Sequence, residues 1–378
     1  MNKNHQIVLD ILKYETDPSI VNFLKDSDID WIQVLGYLTY HRVAGLAYKK
    51  INDLNIRLFD YPVFFTTYLI NQAQEMRNKE QQKNVIKIAQ ALNENNIEYV
   101  FLKGTIMNLI MYENGTRASN DIDILINKKD IYKVTKILNT LGFIQGKYDY
   151  KNNRILPFSS DEKSNTLETI GETSPFVKIS DFPTLKTIDV DLNFSLDWNP
   201  NSHINVVNVF LKQRILVNNK GVSLYSLCYE HMFIELCVHL YKDSALIDII
   251  KKRKVLDLYK FVDIYYFIMK YFNDIDILYL TNEVKKYKLN DYIYFALMYV
   301  TSIFPEANIE KVKFLINNIE SDNNILNLIF DQYDKKNIMI TKSTIIERLF
   351  SYNLISKYKG DGENVWINWW NRKNVYWY

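Results

Sequence analysis

The sequence predicts an α+β fold: a small mixed β-sheet flanked by N-terminal helices and a C-terminal helical bundle. Three observations lead there. Apolar residues recur at helical spacing through roughly the first 95 positions. Two short alternating segments, 121–126 and 187–194, read as strands that carry acids on one face. From about Leu224 onward, helical spacing returns. The implied division is a helical region over 1–95, a sheet core over 96–222 with an irregular insertion at 145–186, and a helical domain with an aromatic end over 223–378.

Taken in order, Ile32 to Leu38 and Val43 to Tyr48 have the spacing of amphipathic helices, and a long helix over about 68–95 leads into a strand at 97–102. Lys103-Gly104-Thr105 then makes a turn into a short helix, which is followed by the strand Asp121-Ile122-Asp123-Ile124-Leu125-Ile126. A helix over 129–141 is closed by Gly142, a residue suited to a helix C-terminus. Ser, Asn, Gly171, Pro157, Pro175 and Pro183 break any period across 145–186, predicting hairpins or a flap beside an acceptor pocket. Helices are expected over 228–241, 256–271, 278–287 and 292–304.

Side chains alternate faces along a strand, so Asp121 and Asp123 point the same way while Ile122, Ile124 and Ile126 point into a core. Two carboxylates on one face repel unless a cation sits between them, and hard oxygen ligands suit Mg²⁺ together with substrate phosphates. An isolated D-x-D pair is as readily a turn and a solvated face. The upstream glycine turn changes that balance. Gly104 permits close backbone approach or a positive φ, Thr105 is placed to cap the helix, and Lys103 and Arg117 add positive charge fit for a triphosphate. A third carboxylate is expected from the 187–194 strand, where Asp189, Asp191 and Asn193 share a face. The pattern alone leaves Asp189 and Asp191 both open.

Trp31, His41-Arg42-Val43-Ala44, Leu102-Lys103-Gly104, Arg117-Ala118-Ser119-Asn120-Asp121-Ile122-Asp123 and Asp191-Leu192-Asn193-Phe194 occur in that order, followed by a helical tail from Ser226 through His239. Over residues 30 to 305 or so the chain resembles the nucleotidyltransferase superfamily with a DNA polymerase β-like core. More narrowly, it resembles a group of uncharacterised bacterial nucleotidyltransferases whose motifs run H-x-V-A, L-K-G, R-x-x-x-D-x-D and D-L-H-W. The resemblance implies Asp121, Asp123 and Asp191 as catalytic and metal-holding acids for Mg²⁺, two ions with Mn²⁺ as a substitute. It implies Lys103, Gly104, Thr105, Arg117 and Ser119 around the phosphates of an NTP. The implied reaction moves an NMP, AMP first among them, onto a hydroxyl of a protein, peptide or small-molecule acceptor and releases pyrophosphate. Two departures stand out: Asn193-Phe194 replaces the family's His-Trp, and Gly104-Thr105 replaces Gly-Ser with a wider gap before the acids. The first favours a rival expectation, an inactive NTP-binding sensor or scaffold of the same fold.

The 378 residues carry 46 Lys+Arg against 44 Asp+Glu, a net charge of +2. That balance argues against a large RNA acceptor, although a nucleic-acid-directed transferase stays as a weaker alternative. The run Lys251-Lys252-Arg253-Lys254 reads as a solvated helix end. Two cysteines, no basic-then-apolar leader and no apolar run of about 18 residues predict a cytoplasmic protein without membrane attachment. Cys228, His231, Glu235 and His239 share a helix face; a packed face is the reading preferred over zinc ligation. Trp366, Trp369, Trp370, Tyr376, Trp377 and Tyr378 form an aromatic end, expected to pack on the helical body or to serve as a stacking surface.

Overall fold

The structure, a computed structural model, describes residues 2–21, 28–54, 61–169, 171–197, 204–219, 221–246, 256–330, 338–340 and 343–351. The basic run at 251–254 and the aromatic end at 366–378 lie outside the described residues.

Six strands form the central sheet in the order β1-β2-β6-β5-β3-β4. They are β1 (Tyr99–Phe101), β2 (Asp121–Ile126), β3 (Ile144–Asp149), β4 (Arg154–Pro157), β5 (Phe176–Ile179) and β6 (Thr187–Asn193). Only β2 and β6 run parallel; the other neighbours are antiparallel, so the sheet is mixed. Ile122, Ile124, Leu125 and Ile126 are all fully buried. Strand β2 is therefore covered on both faces beyond its first residues, which is why its sequence alternates only where the acids stand.

Helices surround this sheet. Short α1 (Lys3–Ile11), α2 (Trp31–Tyr40) and α3 (Ala44–Asp53) precede α4 (Tyr61–Glu94), whose 34 residues span about 50 Å. Helix α4 buries amides as well as apolar groups. Asn71 Nδ2 donates to the Gly45 carbonyl of α3 at 3.4 Å, and Asn78 Nδ2 donates to the Arg117 carbonyl at 3.4 Å, tying α4 to the segment that precedes β2. Helices α5 (Lys103–Ile110) and α6 (Ile131–Thr140) flank β2 in sequence. The C-terminal helices include α9 (Tyr229–Ala245), α10 (Leu258–Tyr271), α11 (Ile277–Lys286), α12 (Asn290–Ile303) and α13 (Glu310–Asn318). Among the described residues no helix is long and apolar enough to cross a membrane.

Some details meet expectation and others differ. The 145–186 stretch holds an expected hairpin, β3 with β4, but is otherwise more regular than its sequence suggests: α7 (Ser160–Thr169) follows, and β5 joins the main sheet beside β6. Its strands are short and half-exposed, so they lack the apolar alternation that identifies a buried strand. After α8 (Ile204–Lys212), a second hairpin of β7 (Ile215–Asn219) and β8 (Val222–Ser226) turns at Gly221, which has φ 78°. Residue 222, where the sequence placed a domain boundary, falls inside β8, and one continuous apolar core joins sheet and helices. The helical turn also differs. Lys103 itself adopts φ 44°, the helix cap position is Leu102, and no side chain caps the first turn, so Thr105 is not the cap.

Candidate active site

Strands β2 and β6 set the geometry. Their parallel register pairs Asp121 with Asp189 and Asp123 with Asp191. Paired residues of adjacent strands face the same side of a sheet, so all four acids lie on one face. The carboxylate that feels Asp121 and Asp123 is Asp191. Burial first, then those two charges, raises Asp191 well above the ordinary carboxylate range, with Glu172 adding to the effect. Burial and Asp123 likewise raise Asp121. Asp189 shares that face but answers to other neighbours: burial raises it, while Thr187 and Arg77 on α4 draw it down. Of the two, Asp191 is the one paired with Asp123 in the strand register.

Asp121 and Asp123 line a cleft of about 190 Å³ together with Lys103, Gly104, Arg117 and Ser119. Thr105 lies apart, lining a neighbouring cavity of about 50 Å³ with Asn108. Gly104 is required by contact rather than by φ. A Cβ there would stand 2.2 Å from Ser119 Oγ and 2.8 Å from Arg117 Nη1, so no side chain fits between the turn and the Arg117-Ser119 segment. Lys103 Nζ donates to Asp123 Oδ1 at 2.7 Å, and the surrounding acids hold the ammonium well above its ordinary pKa against the pull of burial. Asn193, where the family motif has His, donates its Nδ2 to the same Asp123 oxygen at 3.2 Å.

Arg117 has a different setting. Its Nε donates to Asp263 Oδ1 and Oδ2 at 2.9 and 3.1 Å, and its Nη2 to Oδ2 at 2.7 Å. Tyr112 adds a 2.8 Å hydrogen bond to Asp263. Burial pulls the guanidinium pKa down, yet Asp263 holds it above its ordinary value. Arg117 thus joins the loop before β2 to α10, and its charge is already matched.

The helical tail brings further polar groups. His239, Asp243, Asp257, Tyr259 and Lys260 line the cleft opposite the sheet. Lys260 Nζ pairs with Asp243, which stays below the ordinary carboxylate range although burial opposes it. Glu235 and Lys242 approach from α9 into a small adjoining cavity that also touches Lys103 and Asn193. Burial pushes Glu235 up to about 7 and keeps His239 well below 6.5 and neutral. Glu172, delivered by the 145–186 stretch, lies 3.6 Å from Lys242.

The four-residue face considered for zinc divides. His231 stacks on Phe210 at 3.7 Å and lies 3.6 Å from Glu283, whereas Glu235 and His239 turn toward the acids. Both cysteines are free, and Cys228 occupies the cap position of α9. Among the described residues no group of three or more His, Cys, Asp or Glu side chains forms a ready-made metal site. The donor chemistry nevertheless fits Mg²⁺, which takes one or two carboxylates and completes its shell from water and substrate phosphates. In this structure the Lys103 ammonium supplies the counter-charge at Asp123.

Sequence reasoning gave no role to Arg42, Tyr259, Asp243 or Lys260. Their signal is tertiary, because the cleft draws them from α10 and from the ends of α2 and α9, far from β2 in sequence.

An acid pair opening a central strand, with a third acid one strand away and a side-chain-free turn beside them, is the frame of a nucleotidyltransferase core. Residues 27–305 match the model of a family described as uncharacterised nucleotidyltransferase, and the chain belongs to it. Among solved structures, the chain is similar to an antigenic nucleotidyltransferase-like protein from Paracoccidioides brasiliensis. That likeness has 14% identity and a TM-score of 0.36, covering 65% of this chain and 96% of the other, and is too loose to bear on this chain's chemistry. No curated protein matches the chain.

Proposed function

We propose that this protein transfers an NMP unit, AMP in the first instance, from an NTP to a hydroxyl of a protein, peptide or small-molecule acceptor, with release of pyrophosphate. One observation carries the reading: the β2–β6 register that sets Asp191 beside Asp123, with Asp121 on the same face. Asp121, Asp123 and Asp191 would hold Mg²⁺, which when bound offsets the negative charge of acids and triphosphate and polarises the phosphoryl oxygens.

The chain's own groups divide the remaining work. Gly104, bare of a side chain, lets Ser119 and Arg117 pack against the turn and so shapes the wall of the cleft. Asp191, paired with Asp123 in the strand register, would act in its ionised form to accept the proton of the attacking hydroxyl. The acceptor oxygen would form its bond to the α-phosphorus as the bond to pyrophosphate breaks, while the hydroxyl proton passes to Asp191. Asn193 keeps a neutral donor on Asp123, so the departure from the family's His still leaves that carboxylate oriented. Glu172, Lys242 and Glu235 border the acid face from the β5 side and from α9. Their mixed charge suits a polar acceptor of modest size better than a phosphate backbone, which calls for a basic face.

Asp123→Asn tests the proposal. Metal-dependent NTP turnover should fall by more than about a hundredfold, while circular dichroism and thermal unfolding stay close to the parent. Equal turnover in the variant would place the chemistry elsewhere. Unchanged NTP binding with no turnover even in the parent would favour the sensor reading.

A further inference from the structure

Four cations line the acid cleft, and three are matched. Lys103 is bound to Asp123, Arg117 to Asp263 and Lys260 to Asp243. Arg42 differs. It lines the same cleft from the turn between α2 and α3, and among the described residues its guanidinium has no hydrogen bond or ion pair. Its guanidinium carbon lies 4.7 Å from the centre of the Tyr259 ring.

That placement has local causes. His41 is fully buried, and its Nδ1 accepts a 3.3 Å hydrogen bond from the Leu258 N–H, clamping the turn to the first residues of α10. Arg42 follows at φ 60°, in the left-handed region that a non-glycine residue occupies only when its surroundings demand it. A guanidinium within about 6 Å of an aromatic centroid is held by a cation–π contact that pairs none of its N–H edges with an acceptor. Those edges form a rigid fork that matches phosphate oxygens.

The surroundings favour an anion there. Arg77 on α4 is a second guanidinium near Arg42; its buried Nε lacks a partner, and burial together with the Arg42 charge weakens its hold on its proton. Asp189 offsets part of the Arg77 charge and Asp121 lies within reach of Arg42, yet the two guanidiniums still repel, and an anion entering beside them relieves that repulsion. Arg42 is also close enough to Asp121 to act on its charge.

We propose that Arg42, laid on Tyr259, is the residue that grips the polyphosphate tail of the NTP, while Lys103 and Arg117 chiefly hold the site together. This rests on the nucleotidyltransferase reading and assigns a residue within it. The turn that carries the His41 to Ala44 motif is then a phosphate-recognition element delivered by the N-terminal helices.

Calorimetric titration with Mg²⁺-tripolyphosphate and with Mg²⁺-ATP tests it on the full chain. Arg42→Asn is the first variant, because Asn tolerates the left-handed backbone. The parent should bind both probes. Arg42→Asn should lose about ten- to a hundredfold in affinity for both, with an unchanged melting temperature. Arg42→Lys should recover only part of the loss, since an ammonium cannot lie flat on the ring and present a fork. Parent-like tripolyphosphate binding by Arg42→Asn or full recovery by Arg42→Lys would overturn the assignment of Arg42 and leave the enzyme reading standing. A parent that binds neither probe would overturn both.

Discussion

Two buried acid–base pairs flank the same cleft and differ in how fully each is satisfied. Arg117 and Asp263 exchange three hydrogen bonds, and Tyr112 adds another to the carboxylate. Lys103 gives one hydrogen bond to Asp123, on an oxygen shared with Asn193, and that carboxylate stands beside two further acids that repel it. The first pair closes on itself and joins loop to helix. The second leaves a cluster of carboxylates short of positive charge, so its lysine is exchangeable for a stronger cation. Charge type alone does not separate a structural pair from a functional one; the unmet demand of the acids does.

The comparison can be broken by substitution. Arg117→Ala should destabilise the fold by about 3–5 kcal/mol, because Asp263 would be left buried and uncompensated. Millimolar Mg²⁺ should not restore it. A mild loss of stability, or rescue by Mg²⁺, would show that Arg117 belongs to the exchangeable group. Lys103→Met should cost less, about 1–3 kcal/mol in the absence of metal, as the acids lose their counter-charge. Here Mg²⁺ should restore most of the melting temperature by binding the same carboxylates. Failure of Mg²⁺ to do so would mean that these acids do not take the ion.

Much of this was legible in the chain, for physical reasons that differ by element. The acids of 121–126 and 187–194 stood out because a strand repeats every two residues, and an acidic face against an apolar one is visible without knowing the partner strand. Helices of the tail were visible through their period, even where their ends shifted by a few residues. Residues 145–186 hid three strands because β3 and β4 are largely exposed or half-exposed and β5 is only four residues long, too short to show a period. At the turn, glycine drew attention for its backbone freedom, yet Lys103 takes the positive φ and Gly104 is needed where Ser119 and Arg117 crowd in. Tyr259 carried no local mark, and Arg42 stood in the His41 to Ala44 motif only at its variable position. Arg117 read from sequence as a phosphate ligand, and only its meeting with Asp263 shows where its charge goes.

The central claim is that three acids on β2 and β6 support transfer of an NMP. Its most direct test is incubation of the purified chain with each NTP labelled at the α-phosphate, in cell extract, with and without Mg²⁺. A Mg²⁺-dependent covalent label on an acceptor, with pyrophosphate released and both lost in Asp191→Asn, is the predicted result. Label that never leaves the nucleotide in any arm, or transfer that survives removal of Asp191, would contradict it.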